Sequence, residues 1–112
     1  MNVSEVYSRD DRLEKALTDV EAIEPDFEKA LLDYADAESL YRVRKSEEYL
    51  KAEGTEKARE AQAIIAVAKL LETRNRAEAV RDFLKAKLKD RQDAVSARQS
   101  LLSAEVKTNR AF

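Results

Sequence analysis

The chain is 112 residues long, 39% charged at a formal net charge of only −2, with one Gly, one Pro and neither Cys nor His. The missing Cys and His exclude disulfides, thiol nucleophiles, imidazole bases and the common zinc and haem sites. Ordinary chains carry about 7% Gly and 5% Pro, so one this poor in turn residues folds back rarely and is forced into few, long elements.

Residues 1–9 are mixed in character, and Ser8 or Asp10 offers an N-cap for the first helix. From about residue 10 to residue 110 the helix formers Ala, Glu, Lys, Leu, Arg and Gln dominate, and strand alternation is missing. The first arm, about residues 10–53, carries the apolar stripe Leu13, Leu17, Val20, Phe27, Leu31 with Ala30, Tyr34, Ala37 and Tyr41. Steps of three, four and seven keep these on one helix face. Pro25 interrupts the arm, because it lacks an amide hydrogen and its ring clashes with the carbonyl of Glu21. Two readings are open. Either the helix kinks at Pro25, or a short helix ends near Ile23 and a second starts with Pro25 in its first turn, where Asp26 and Glu28 suit the positive helix start.

The turn is placed at residues 54–55. Gly54, the only glycine, stands where a helix needs a left-handed residue to end, and Thr55 comes next as N-cap with Glu56 in the first turn of the second arm. Position 58 is Ala, so the reciprocal capping box is absent. The second arm, about residues 56–109, has no Pro or Gly and is expected to be one uninterrupted helix, on the order of 80 Å long. Its stripe reads Ala61, Ile64, Ile65, Ala68, Leu71, Ala77, Val80, Leu84, Leu88, Val95 and Leu102. Arg91 and Arg98 fill in-phase positions, and Asn75 lies near the stripe as a candidate register-fixing polar residue.

Folding back about Gly54 sets residues whose numbers sum to about 108 side by side, so Leu13 falls near Val95 and Val20 near Leu88. Charge agrees, since residues 1–40 carry a net −8 and residues 73–112 a net +5. The predicted fold is therefore all-α: a long antiparallel two-helix hairpin, coiled-coil-like, forming a single domain over residues 1–112. Tyr41, Tyr49, Leu50, Ile64, Val67, Leu70 and Phe83 exceed what one seam needs. They are expected to form a partner face and to pair two copies into a helical bundle.

The longest apolar run, residues 63–68, is far short of the roughly 20 residues of a membrane span, and no signal-peptide run opens the chain. A cytoplasmic protein with no membrane contact is expected. The carboxylates Asp10, Asp11, Asp33, Asp36, Glu47 and Glu48 read as solvated helix faces, so no catalytic residue, metal or cofactor is expected. The basic run Arg74, Arg76, Arg81, Lys85, Lys87, Lys89, Arg91, Arg98 is the most suggestive chemistry. Arg74, Arg81, Lys85, Lys87, Arg91 and Arg98 could track nucleic-acid phosphates. The interleaved Glu78, Asp82, Asp90 and Asp93 and the facing acidic arm favour an intra-bundle role, with Arg98 and Arg91 reaching toward Asp10, Asp11 and Glu14. Tyr7, Tyr34, Tyr41 and Tyr49 could stack bases, although Tyr34 and Tyr41 sit in the core stripe.

The tract Ser96-Ala97-Arg98-Gln99-Ser100-Leu101-Leu102-Ser103-Ala104-Glu105 and the turn Leu50-Lys51-Ala52-Glu53-Gly54-Thr55-Glu56 resemble small all-helical proteins of tailed bacteriophages. The resemblance covers about residues 49–105. It implies a phage accessory protein acting in the host cytoplasm beside recombination genes, and it assigns no functional residue. The expected function is that of a non-enzymatic, homo-oligomeric helical protein. It would bind phage or host proteins, either recombination and replication machinery or a defence or polymerase component. The alternative is a nucleic-acid-binding module on the second arm.

Overall fold

The computed structural model describes residues 10–111, and among these every regular element is an α-helix. They are α1 (Asp11–Lys51), α2 (Glu56–Ala66) and α3 (Ala68–Ala111). Asp10 caps α1: its carboxylate accepts the Leu13 amide at 2.7 Å. Capping satisfies one of the amides that a helix start leaves without an intrahelical partner. Ser8 and Tyr7 lie outside the described residues. Pro25 is interior to α1, which is a single helix. The reading in which one helix ends near Ile23 and another begins at Pro25 is therefore not the one adopted.

The turn forms as the residue types require. Gly54 takes φ +108°, a conformation that costs a side-chain-bearing residue about 1–2 kcal/mol. The Thr55 hydroxyl accepts the Ala58 amide at 3.2 Å. Three further bonds lock the corner, one from Gln62 Nε2 to the Glu53 carbonyl at 2.9 Å and two from Arg59 Nε and Nη2 to the Tyr49 carbonyl at 3.2 and 3.1 Å.

The second arm is not one uninterrupted helix. Val67 leaves the helical basin (φ −106°, ψ 16°) and its amide is shared between the Ala63 and Ile65 carbonyls. The bonds Val67 N to Ala63 O and Leu71 N to Val67 O survive, at 3.1 and 2.9 Å, so the helical phase carries across. No breaker residue marks this site. Val67 is fully buried, and a depression of about 160 Å³ beside it is lined by Leu40, Arg44, Glu48, Ala66 and Leu70. Packing on α1, not local propensity, decides where the arm yields.

The chain forms two compact units. One joins Met1–Phe27 to Leu84–Phe112, and the other is Glu28–Phe83. In the Glu28–Phe83 unit the buried and half-buried positions on α1 include Ala30, Tyr34, Ala37, Glu38, Tyr41, Lys45, Glu48 and Tyr49. Those on α2 and α3 include Ala63, Val67, Leu70, Arg74, Ala77 and Arg81. In the unit of the two chain ends they include Leu13, Ala16, Val20, Ile23 and Phe27 on α1, and Leu84, Leu88, Val95, Arg98, Leu102 and Val106 on α3. Mostly alternating steps of three and four are the signature of helices packing side chain into gap.

The register is the expected one within each unit. Asp10 pairs with Arg98, Tyr34 with Arg74, and Tyr49 with Arg59; the numbers of each pair sum to about 108. The assignment of individual residues to the seam needs correction. Ile23 and Ala30 are buried, while Leu17 and Leu31 are more than 40% exposed. On the second arm Ala61, Ile64, Ile65 and Ala68 face outward, and Ala63 and Val67 take the seam. Residues 61–71 are apolar nearly all round, so periodicity alone could not choose between the faces. Asn75 is also exposed, and accepts a bond from Arg74 rather than fixing register in the core.

Candidate interaction faces

The seam of the Glu28–Phe83 unit contains a polar cluster built on Tyr34. Arg81 lies over the ring, 4.1 Å from its centroid, and Arg74 stands 5.4 Å from it. Arg74 also donates to the Tyr34 hydroxyl at 2.9 Å, to the Glu38 carboxylate, and to Glu78 at 2.8 Å. Arg42 donates to the other oxygen of Glu38 at 2.7 Å. These hydrogen bonds, the one from Arg74 foremost, hold the Glu38 carboxyl below the usual carboxylate range. Bonds of the same kind, donated by Arg74 to Glu38 and by Arg81 to Asp82, raise both guanidinium groups. A planar guanidinium over an aromatic face packs as a flat apolar plate while its donors stay satisfied. That is how two arginines occupy positions where leucine would be expected.

A second cluster closes the unit formed by the chain ends. Arg98 grips Asp10 with both arms of its fork, Nε at 3.1 Å and Nη2 on the other oxygen. Asp10 thus caps α1 with one oxygen and ties α3 with both. The Arg98 bond, followed by the Leu13 amide, lowers the Asp10 carboxyl from 3.8 to about 2. A depressed acid stabilises the fold above its unfolded value and loses that contribution as pH falls through its folded value. Protection of the Leu13 amide is therefore expected to be full above about pH 4 and to fade toward pH 2, as read by NMR hydrogen exchange. In Arg98→Gln the fading should begin near pH 4. An unchanged profile in that variant would contradict the clasp.

The six basic residues proposed for nucleic acid do not share one environment. Arg74 and Arg81 are in the seam of the Glu28–Phe83 unit, committed to Tyr34, Glu38, Glu78 and Asp82. Lys85, Lys87, Arg91 and Arg98 belong to the other unit. There Arg98 is held by Asp10, Arg91 lies 3.8 Å from Asp90, and Lys85 and Lys87 are exposed with no ion-pair partner among the described residues. Arg91 therefore reaches neither Asp10 nor Glu14. Among the described residues two contacts between the arms express the opposite net charges, Asp10–Arg98 and Glu38–Arg74, while Lys45–Glu60 has the reverse polarity; the remaining ion pairs lie within single helices.

The seven residues expected on a partner face also separate. Leu50 and Phe83 are exposed at 74% and 66%, and Ile64 nearly half so. Val67 is buried in its own unit, and Leu70 and Tyr41 are half-buried at the seam. Tyr49 is covered by Arg59, 4.4 Å from its ring centroid. Periodicity missed Leu32 and Val43 and set Ile65 in the seam stripe, yet all three are more than half exposed. On α1, Leu32, Val43 and Leu50 succeed one another by about three and two helical turns, so they stand on one stripe. That stripe lies opposite the inward face of Ala30, Tyr34, Ala37 and Tyr41. The only sequence signal was this second, weaker periodicity in antiphase to the first.

Among the described residues no three or more acidic side chains converge on a point where a metal ion could sit. No helix among them is long and apolar enough to cross a membrane. Comparison with protein-family models, with curated proteins and with solved structures returns no match.

Proposed function

We propose that this is a non-enzymatic helical interaction protein whose outward apolar faces dock other proteins and a second copy of itself. In keeping with the resemblance of residues 49–105 to small phage proteins, it is a cytoplasmic accessory factor. Its partner belongs to recombination or replication machinery, or is a host defence or polymerase component. One observation carries this reading. The Glu28–Phe83 unit exposes large apolar side chains on faces turned away from its own seam, led by Leu32, Val43 and Leu50 on α1. Monomers rarely leave such stripes in water without use for them, and a stripe of this spacing suits a helix or groove on a partner.

The test compares the full chain with Val43→Glu/Leu50→Glu as bait in infected and uninfected host cells, followed by mass spectrometry. A partner retained by the native chain and lost by the variant at equal helicity supports the reading. Identical captures from the two baits would overturn it. The nucleic-acid alternative keeps Lys85, Lys87 and Arg91 as available cations. At low salt, fluorescence anisotropy with single- and double-stranded DNA and RNA is expected to stay flat; salt-sensitive binding lost in Lys85→Gln/Lys87→Gln/Arg91→Gln would favour it instead.

A further inference from the structure

The second outward apolar face of the Glu28–Phe83 unit lies on α2 and α3, and its chemistry specifies its occupant. Ile65 and Phe83 are exposed at 76% and 66%. They are eighteen residues apart, or five helical turns at 3.6 residues each, and so share one face. The stretch between them is marked by Ala68, Glu72, Arg76, Ala79 and Val80, all exposed. Arg76 donates to Glu72 across one turn. The phase is preserved across Val67 by the two bonds that bridge it.

We infer that this face is a twofold, self-complementary interface, and that its occupant is the same face of a second copy, running antiparallel. This deepens the self-association in the proposed function and rests on it. When residues whose numbers sum to about 148 are set opposite each other, Ile65 meets Phe83 of the second copy and Ala68 meets its Val80. Glu72 meets Arg76 of the second copy, and the twofold axis repeats every contact. At the centre, two Glu and two Arg close into a ring of alternating charge. On either side a large apolar side chain lies against another, and alanines let the helix backbones approach. The outer face of α1 offers no such complementarity: set antiparallel so that Leu32 meets Leu50 of the second copy, Val43 meets Ser39 and Asp36 meets Ser46, so neither the central apolar residue nor the charge on that stripe finds a matching partner.

From Ala61 to Phe83 the face is about 33 Å long. One helix stripe of that length is at the small end of specific interfaces, so a dissociation constant in the micromolar range is expected. The energy concentrates in Ile65 and Phe83, since a few large buried side chains dominate most interfaces.

The test is sedimentation equilibrium of the full chain from about 1 to 200 µM, a range that brackets a micromolar constant, with circular dichroism as a folding check. The native chain is expected to dimerise. Phe83→Glu should weaken the dimer by about 100-fold or more, whereas Leu50→Glu leaves it unchanged. Glu72→Arg and Arg76→Glu should each weaken dimerisation, and the double swap should restore it, because it rebuilds the alternating ring with signs exchanged. The swap keeps the test decisive should Phe83→Glu lose helicity. A native dimer indifferent to Phe83→Glu and to both single charge reversals overturns this interface while leaving self-association standing. A native chain monomeric at 200 µM overturns both, and leaves the α1 face and its protein partner untouched.

Discussion

Leu13→Ala is expected to destabilise the unit formed by Met1–Phe27 and Leu84–Phe112 by about 2–5 kcal/mol. Leu13 is 3% exposed, and its amide is the one that Asp10 caps. One and two turns further along α1, Leu17 and Val20 line a depression together with Gln92, Val95 and Ser96, so this part of α1 faces the stretch of α3 around Val95. Removing the isobutyl group forfeits its transfer free energy and leaves a void that two helices cannot close by collapsing. The measurement is urea unfolding, with amide exchange to localise the loss to residues 11–27 and 84–109. A cost below about 1 kcal/mol would mean that water already reaches Leu13, since exposed substitutions fall in that range.

Ala63→Leu is expected to cost about 1–3 kcal/mol, although leucine and alanine are both good helix formers. Ala63 has no exposed surface at all, and it is the buried residue of α2. Added methylenes there must push α2 away from α1 or distort the corner held by Arg59, Gln62 and Thr55. Ala35→Leu is the control. It lies on α1 at an exposed position, and a change within about 0.5 kcal/mol is expected. Equal effects from the two substitutions would show that Ala63 is not in the seam. The comparison is informative because composition and propensity treat the two alanines alike.

That contrast separates what could be read in the chain from what could not. Gly54 and Thr55 announced the turn through intrinsic chemistry, a left-handed φ and a hydroxyl cap. Asp10 did the same for the start of α1. The register came from the arithmetic of folding back about one glycine, and Asp10–Arg98, Tyr34–Arg74 and Tyr49–Arg59 meet as it requires. Which arginines are available to a ligand was not legible. Arg74 and Arg81 read as part of a basic stripe, but they lie on Tyr34 in the seam, because a guanidinium can pack flat where its donors find Glu38 and Asp82. The outward faces of Leu32, Val43 and Leu50, and of Ile65 and Phe83, were only partly legible, because a helix apolar on two sides gives no single dominant period.

Helix content, the turn, the caps and the antiparallel register were determined by the sequence itself, because each depends on the properties of one residue or on spacing along one helix. Seam membership at Ile23, Ala63 and Val67, the interruption of the second arm and the partial burial of Arg74 and Arg81 were decided by tertiary structure. Each of these is a competition between side chains of two helices for one limited space. Residues 61–71 could satisfy either face locally, and only their fit against α1 broke the tie.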